Sequence, residues 1–256
     1  MVLAPLTPLR PPLTRLCTLD SQYAVKDHIT QVQDGEIGIH AISPAPVGTE
    51  NPGFPVLVWF HGGVRKSGWI SSSLELDDFQ LRILSVELRP TILNVNYRLA
   101  PEHPFPAGLE DCYVALKWTI LNGKDIGATL AKGFIVGGKS AGGNLAAVVA
   151  HRARTDPFPK NMPMSRTFTG SHQSHEDPYA NQLLSYEQNS NAWILGKAAI
   201  LHIIPCNSTE LVMRADSLRG NPHDPDLSPL LADHKDLCPV YIKICGLDPL
   251  RDEGLL

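Results

Sequence analysis

Short apolar runs alternate with helix-spaced stretches along most of the chain. Two strand-like runs, Ile29 to Gln33 and Ile37 to Ile42, flank Asp34-Gly35. An Asp-Gly pair so placed predicts a hairpin. The unbroken apolar run Val56-Leu57-Val58-Trp59-Phe60 predicts a strand covered on both faces, as in a parallel sheet. From there the pattern switches back and forth. Residues 74 to 88 carry Leu74, Leu81, Leu84 and Leu88 on one side of a helix, and Thr91 to Val95 reads as a strand. Leu109 to Leu121 is a second helix with Tyr113, Leu116, Trp118 and Ile120 partly buried. Phe134 to Val136 is a strand, Asn144 to Ala150 is helix-like, and Val240 to Cys245 is a late strand. This βαβα order predicts an α/β fold, a mostly parallel sheet with helices on both faces. Ligands bind such sheets at the carboxyl ends of the strands.

Length and charge narrow the class. The 256 residues suit a single domain spanning 1–256 with a large core. Within it, residues 1–24 read as a proline-rich arm or part of a lid, and about 160–225 as a variable, lid-like segment. A net charge of -4, with Lys and Arg spread along the chain, offers no basic stripe for nucleic acid and no polybasic membrane patch. The expected partner is therefore a small molecule, with a homo-oligomer left open. Five cysteines form no CxxC pair and no metal-ligand spacing, and an odd count suits a reducing compartment. The N-terminus has prolines where a signal peptide needs an apolar run, and nowhere do about 18 apolar residues stand together. A soluble, cytoplasmic protein is expected. His172 and His175 lie in a polar stretch that reads as a solvated loop rather than a metal pair.

Three pieces of chemistry sit at predicted strand ends. Gly138-Lys139-Ser140-Ala141-Gly142 joins the strand Phe134 to Val136 to the following helix, the layout of a nucleophile elbow. A serine on such a strained turn needs small neighbours at minus two and plus two, which Gly138 and Gly142 supply. The N–H of Ala141, at the helix start, then points at an oxyanion. After Phe60 comes His61-Gly62-Gly63. Alone this is a tight turn; beside a serine elbow, its glycines let N–H groups approach a ligand as an oxyanion hole requires. After the late strand, Asp248 reads equally as the acid that orients an imidazolium or as the start of an Asp-Pro turn with Pro249.

Together, His61-Gly62-Gly63, the stretch Tyr97 to Ala107, Gly138 to Asn144 and Gly246-Leu247-Asp248-Pro249-Leu250-Arg251-Asp252-Glu253-Gly254 resemble the α/β-hydrolase family that contains hormone-sensitive lipase and its esterase relatives. The four motifs occur in the family's order, over roughly residues 25 to 256. The likeness is greatest to fungal esterases and lipases, some of which act on acetate or polyketide esters in secondary metabolism. The resemblance implies Ser140 as nucleophile, Asp248 as triad acid, and the N–H groups of Gly62, Gly63 and Ala141 as oxyanion hole. It implies no cofactor and no metal, and a lid built from the N-terminal arm and the segment before the last strand.

The chain departs from the family pattern at several points. The triad histidine belongs on a loop beyond one further strand, but eight residues follow Asp248 and none is His. The C-terminal strand, His loop and last helix are thus expected to be absent, leaving the Val240 to Cys245 strand as an apolar edge. Without its base a serine hydroxyl is a poor nucleophile, and about 10³ to 10⁴ over water remains from the rest of the site. His234 precedes the acid's strand and reads as a surface or loop residue. Val64 and Arg65 follow the glycines where the family has a glycine and an aromatic, and Lys139 replaces an acidic residue. An apolar strand is expected after the nucleophile helix, yet Ser165 to His175 is polar. The run Ala198 to Pro205 reads equally as a substitute strand or as a lid helix ended by Pro205, with His202 structural. The sequence therefore predicts a serine carboxylic-ester hydrolase for a small or medium ester, impaired or inactive as written. The competing readings are a catalytically silent small-molecule binding protein of the same fold and a degenerate fragment.

Overall fold

The computed structural model describes residues 21–48, 53–62, 74–100, 102–156, 164–168, 182–192, 197, 224–252 and 254–255. Strands β1 (Tyr23–Val32) and β2 (Gly35–Pro44) form a hairpin, followed by β3 (Val56–Phe60). Then α1 (Leu74–Leu88), β4 (Thr91–Asn96), α2 (Ala107–Asn122), β5 (Phe134–Gly138) and α3 (Ala141–Thr155) alternate. The described chain closes with β6 (Met164–Phe168), α4 (Ser185–Gln188) and β7 (Val240–Ile242). The sheet order is β1-β2-β4-β3-β5-β6-β7, antiparallel through β1, β2 and β4 and parallel from β4 to β7.

Period explains both layers. In β3, Val56, Val58 and Phe60 are fully buried against a cluster built with Leu109, Leu116, Val148 and Val149 of α2 and α3. The alternate residues Leu57 and Trp59 pack on the other face with Ile42, Leu81 and Ile92, under α1. Each fully buried aliphatic or aromatic side chain here stabilises the fold by about 1.5–3 kcal/mol. Leu81 and Leu84 take their expected places, but Leu88, at the last turn of α1, is exposed because the sheet no longer lies beneath it.

Three expectations are corrected. Val32 pairs with Gly35, so the hairpin turn is Gln33-Asp34 and Asp34 takes the left-handed φ of 58°. Asp tolerates this conformation better than most residues with a side chain; Gly35 begins β2. The polar stretch after α3 begins as a strand, since Met164–Phe168 pairs in parallel with β5 on one side and β7 on the other. Backbone partners on both sides set its place. The late strand is three residues long rather than six, and as the sheet's last described strand it leaves Val240 and Tyr241 exposed. His172, His175 and the run 198–205 lie outside the described residues.

A segment spanning 224–235 lies along α3. Arg152 holds Glu110 of α2 at 2.8 Å and Asp226 at 2.6 Å, Asn144 donates to the Leu227 carbonyl at 3.1 Å, and Arg154 donates to the Asp233 and Lys235 carbonyls. The sheet order reverses direction at β3, whose next strand along the chain is β4 and whose other neighbour is β5. The loops leaving β3 and β5 therefore flank the crevice where such sheets bind ligands.

Candidate active site

Ser140 occupies the turn between β5 and α3 with φ 55° and ψ −121°, a strained conformation for a residue with a side chain. The surrounding backbone fixes it. The Lys139 N–H donates to the Phe60 carbonyl at 3.3 Å, Gly142 donates to the Lys139 carbonyl at 3.0 Å, and Gly143 and Asn144 donate to the Ser140 carbonyl at 2.8 and 3.2 Å. Such close packing excludes side chains at the flanking positions. A Cβ on Gly142 would stand 1.9 Å from the Phe60 carbonyl oxygen, and one on Gly138 would stand 2.2 Å from that of Gly142. The elbow that the sequence predicts is present, and Ser140 is exposed at its tip.

The loop that begins at His61 lies against it. A Cβ on Gly62 would fall 2.6 Å from the Lys139 carbonyl oxygen and 3.3 Å from Ser140 Cβ, so Gly62 and Ser140 are neighbours. Among the described residues neither the Gly62 N–H nor the Ala141 N–H has an acceptor. Gly63, the third expected donor, lies outside the described residues. His61 is buried, stacks on Tyr97 with ring centroids 4.4 Å apart, and brings Nδ1 within 3.1 Å of the Gly62 carbonyl. The Tyr97 hydroxyl donates to the His61 carbonyl at 2.7 Å. Burial pushes the Tyr97 phenol well above its ordinary pKa, so it stays a donor at any working pH. Arg98, next in the chain, forks onto buried Asp111 through Nε and Nη2, both at 2.8 Å.

Asp248 sits beyond β7, and β6 separates β7 from the strand that carries Ser140. Its Oδ1 accepts the Leu250 N–H at 2.9 Å, the bond of the Asp-Pro turn that was the alternative reading of this residue. Among the described residues no imidazole donates to it. The loop is clamped by residues of and beside α4 that the motifs did not reveal. Asp252 accepts the Ser185 N–H at 2.7 Å, the Ser185 hydroxyl donates to the Pro249 carbonyl at 2.7 Å, and Asn189 donates to the Asp248 carbonyl at 3.0 Å. The Arg251 guanidinium, 2.8 Å away, holds the Asp252 carboxyl below its usual range. His234 is a loop residue beside α3, its ring 5.1 Å from that of His151 and its Nε2 3.1 Å from the Leu230 carbonyl oxygen. Among the described residues no group of three or more His, Cys, Asp or Glu is placed to hold a metal. None of their helices is long and apolar enough to cross a membrane.

Comparisons with known proteins bear on the fold and the family. Esterase LipI of Mycobacterium tuberculosis is 34% identical over 222 residues, covering 86% of this chain and 63% of its own length. Versiconal hemiacetal acetate esterase of Dothistroma septosporum is 29% identical over 206 residues, 78% of this chain and 58% of its own. The chain thus spans under two thirds of the length of these relatives. The crystal structure of vibralactone cyclase superposes with a TM-score of 0.79 at 30% identity, over 99% of this chain and 77% of that one. A family model described as alpha/beta hydrolase fold matches residues 57–256, from within β3 through the loop after β7. The chain belongs to the α/β-hydrolase family, in the branch that the four motifs resemble.

Proposed function

We propose that this chain carries the site of a serine carboxylic-ester hydrolase. Ser140 Oγ attacks the ester carbonyl carbon, the N–H groups of Gly62, Gly63 and Ala141 hold the tetrahedral oxyanion, and the alcohol leaves. Water then hydrolyses the acyl-serine. Asp248 serves as the acid of the triad, orienting an imidazole that the described residues do not supply. The observation that carries the reading is a strained, exposed Ser140 beside Gly62, with neither the Gly62 nor the Ala141 N–H bonded to an acceptor among the described residues. The named activity of the versiconal hemiacetal acetate esterase, on an acetate ester, supports a small or medium ester as substrate.

A fluorophosphonate probe tests this on the purified 256-residue chain. Labelling that disappears in Ser140→Ala is the expected result. A folded chain that does not label even after a downstream segment carrying a His loop is appended overturns the hydrolase reading. The Asp248 carboxylate, engaged by Leu250 and by no imidazole among the described residues, favours a second reading in that case: a binding protein that keeps the pocket without turnover. Saturable binding of the ester with no release of acid identifies it.

A further inference from the structure

Lys139 stands immediately before Ser140, and its ammonium pairs with Asp77 Oδ1 in the first turn of α1. Asp77 is 2% exposed, while the Lys139 side chain is 48% exposed. The other Asp77 oxygen accepts the Trp59 indole N–H at 2.9 Å. Three elements therefore converge on one buried carboxylate: β3 through Trp59, α1 through Asp77, and the elbow through Lys139. A buried carboxylate keeps its charge only where a cation and donors compensate its lost hydration, and Lys139 is the cation here. The demand comes from Asp77, so this pair differs from an ordinary surface ion pair between two solvated partners.

The elbow needs such a tie. A positive φ at a non-glycine residue persists only where its surroundings over-determine it. The Lys139 backbone is bonded on both sides within the turn, to Phe60 and Gly142, and its side chain fastens the same residue to α1. We propose that Lys139 is a positioning residue, which through Asp77 locks the elbow at the orientation that presents Ser140 to its substrate. The inference rests on the reading of Ser140 as nucleophile.

The test compares wild type, Lys139→Met, Lys139→Arg and Asp77→Asn in the 256-residue chain. Amide hydrogen exchange at Gly142 and Gly143 is read relative to Ile39 and Ile42 in β2, which corrects for global stability. In Lys139→Met the two elbow amides exchange at least about tenfold faster, and fluorophosphonate labelling slows by about 10²-fold, the effect of misplacing a reacting group by about 1 Å. The Trp59 indole N–H resonance shifts as Asp77 loses its cation. Lys139→Arg restores all three, since a guanidinium carries the same charge to the same oxygen. Elbow exchange and labelling unchanged in Lys139→Met, or losses that Lys139→Arg leaves unrepaired, overturn the proposal. A wild type that does not label removes the nucleophile reading alone, because exchange at Gly142 and Gly143 still decides the lock. If Lys139→Met does not fold, Asp77→Asn gives the same comparison, keeping the Trp59 acceptor and removing only the charge.

Discussion

Alanine at Gly142 perturbs the elbow at its tightest point. The added Cβ meets the Phe60 carbonyl oxygen at 1.9 Å and the His61 carbonyl oxygen at 2.6 Å, where ordinary contact begins near 3.4 Å. Both obstacles are backbone atoms at the end of β3, and Phe60 is fully buried, so no side chain can swing away. Relief requires β3 and α3 to separate. Overpacking of a filled interior costs about 1–3 kcal/mol, and an immovable backbone puts this site at the upper end. Against this, alanine in a helix is favoured over glycine by about 1 kcal/mol. The expected net loss is about 2 kcal/mol, read as a lowered urea midpoint at unchanged slope. Gly246→Ala is the control: its Cβ meets nothing within 4 Å, and its expected change lies within about 0.5 kcal/mol of zero. If Gly142→Ala unfolds at the wild-type midpoint, the close approach of elbow and β3 is wrong, and with it the placement of Gly62 beside Ser140.

Further outcomes follow from the braces around the site. Arg98→Met leaves the fully buried Asp111 without its cation and costs about 3–5 kcal/mol in urea unfolding. Adding Asp111→Leu returns part of that loss, because the stranded charge is gone. Among the described cysteines, exposed Cys245 reacts with a thiol reagent in the native protein while Cys112, buried and with its thiol pKa pushed well up by that burial, reacts only on unfolding; peptide mapping separates the two. The carboxyl of Asp252 has a folded pKa below its unfolded value of about 4, so its contribution is complete above that value and is lost as pH falls through the depressed one. Stability measured from pH 6 down to pH 2.5 therefore falls less steeply in Asp252→Asn than in wild type at the acid end.

The parts of the fold that local pattern dictates were legible. The period-two burial of Val56, Val58 and Phe60, the leucine spacing of α1 and the glycines of the elbow each report their own surroundings. The hairpin was legible in type but slipped by one residue, because the turn is Gln33-Asp34 and Gly35 already pairs with Val32 as the first residue of β2. β6 was hidden, since its polar side chains say nothing of backbone partners supplied by β5 and β7. The clamps were hidden by distance along the chain: Lys139 and Asp77 are 62 positions apart, and Ser185 and Asp252 are 67 apart. One signal pointed to Asp77, a carboxylate at helical spacing with Leu81 and Leu84 on the face turned toward the sheet. A charge on an apolar face asks for a partner, though its identity comes only with the fold.

The loop that carries Asp248 draws its support sideways, from Ser185 and Asn189, more than from the three residues of β7 beneath it. Those anchors belong to the stretch between β6 and β7. A change in that stretch is therefore transmitted to the Asp248 loop, and substitutions on the two sides of the clamp combine non-additively. The elbow and Gly62, seated at the middle of the sheet, do not share that support.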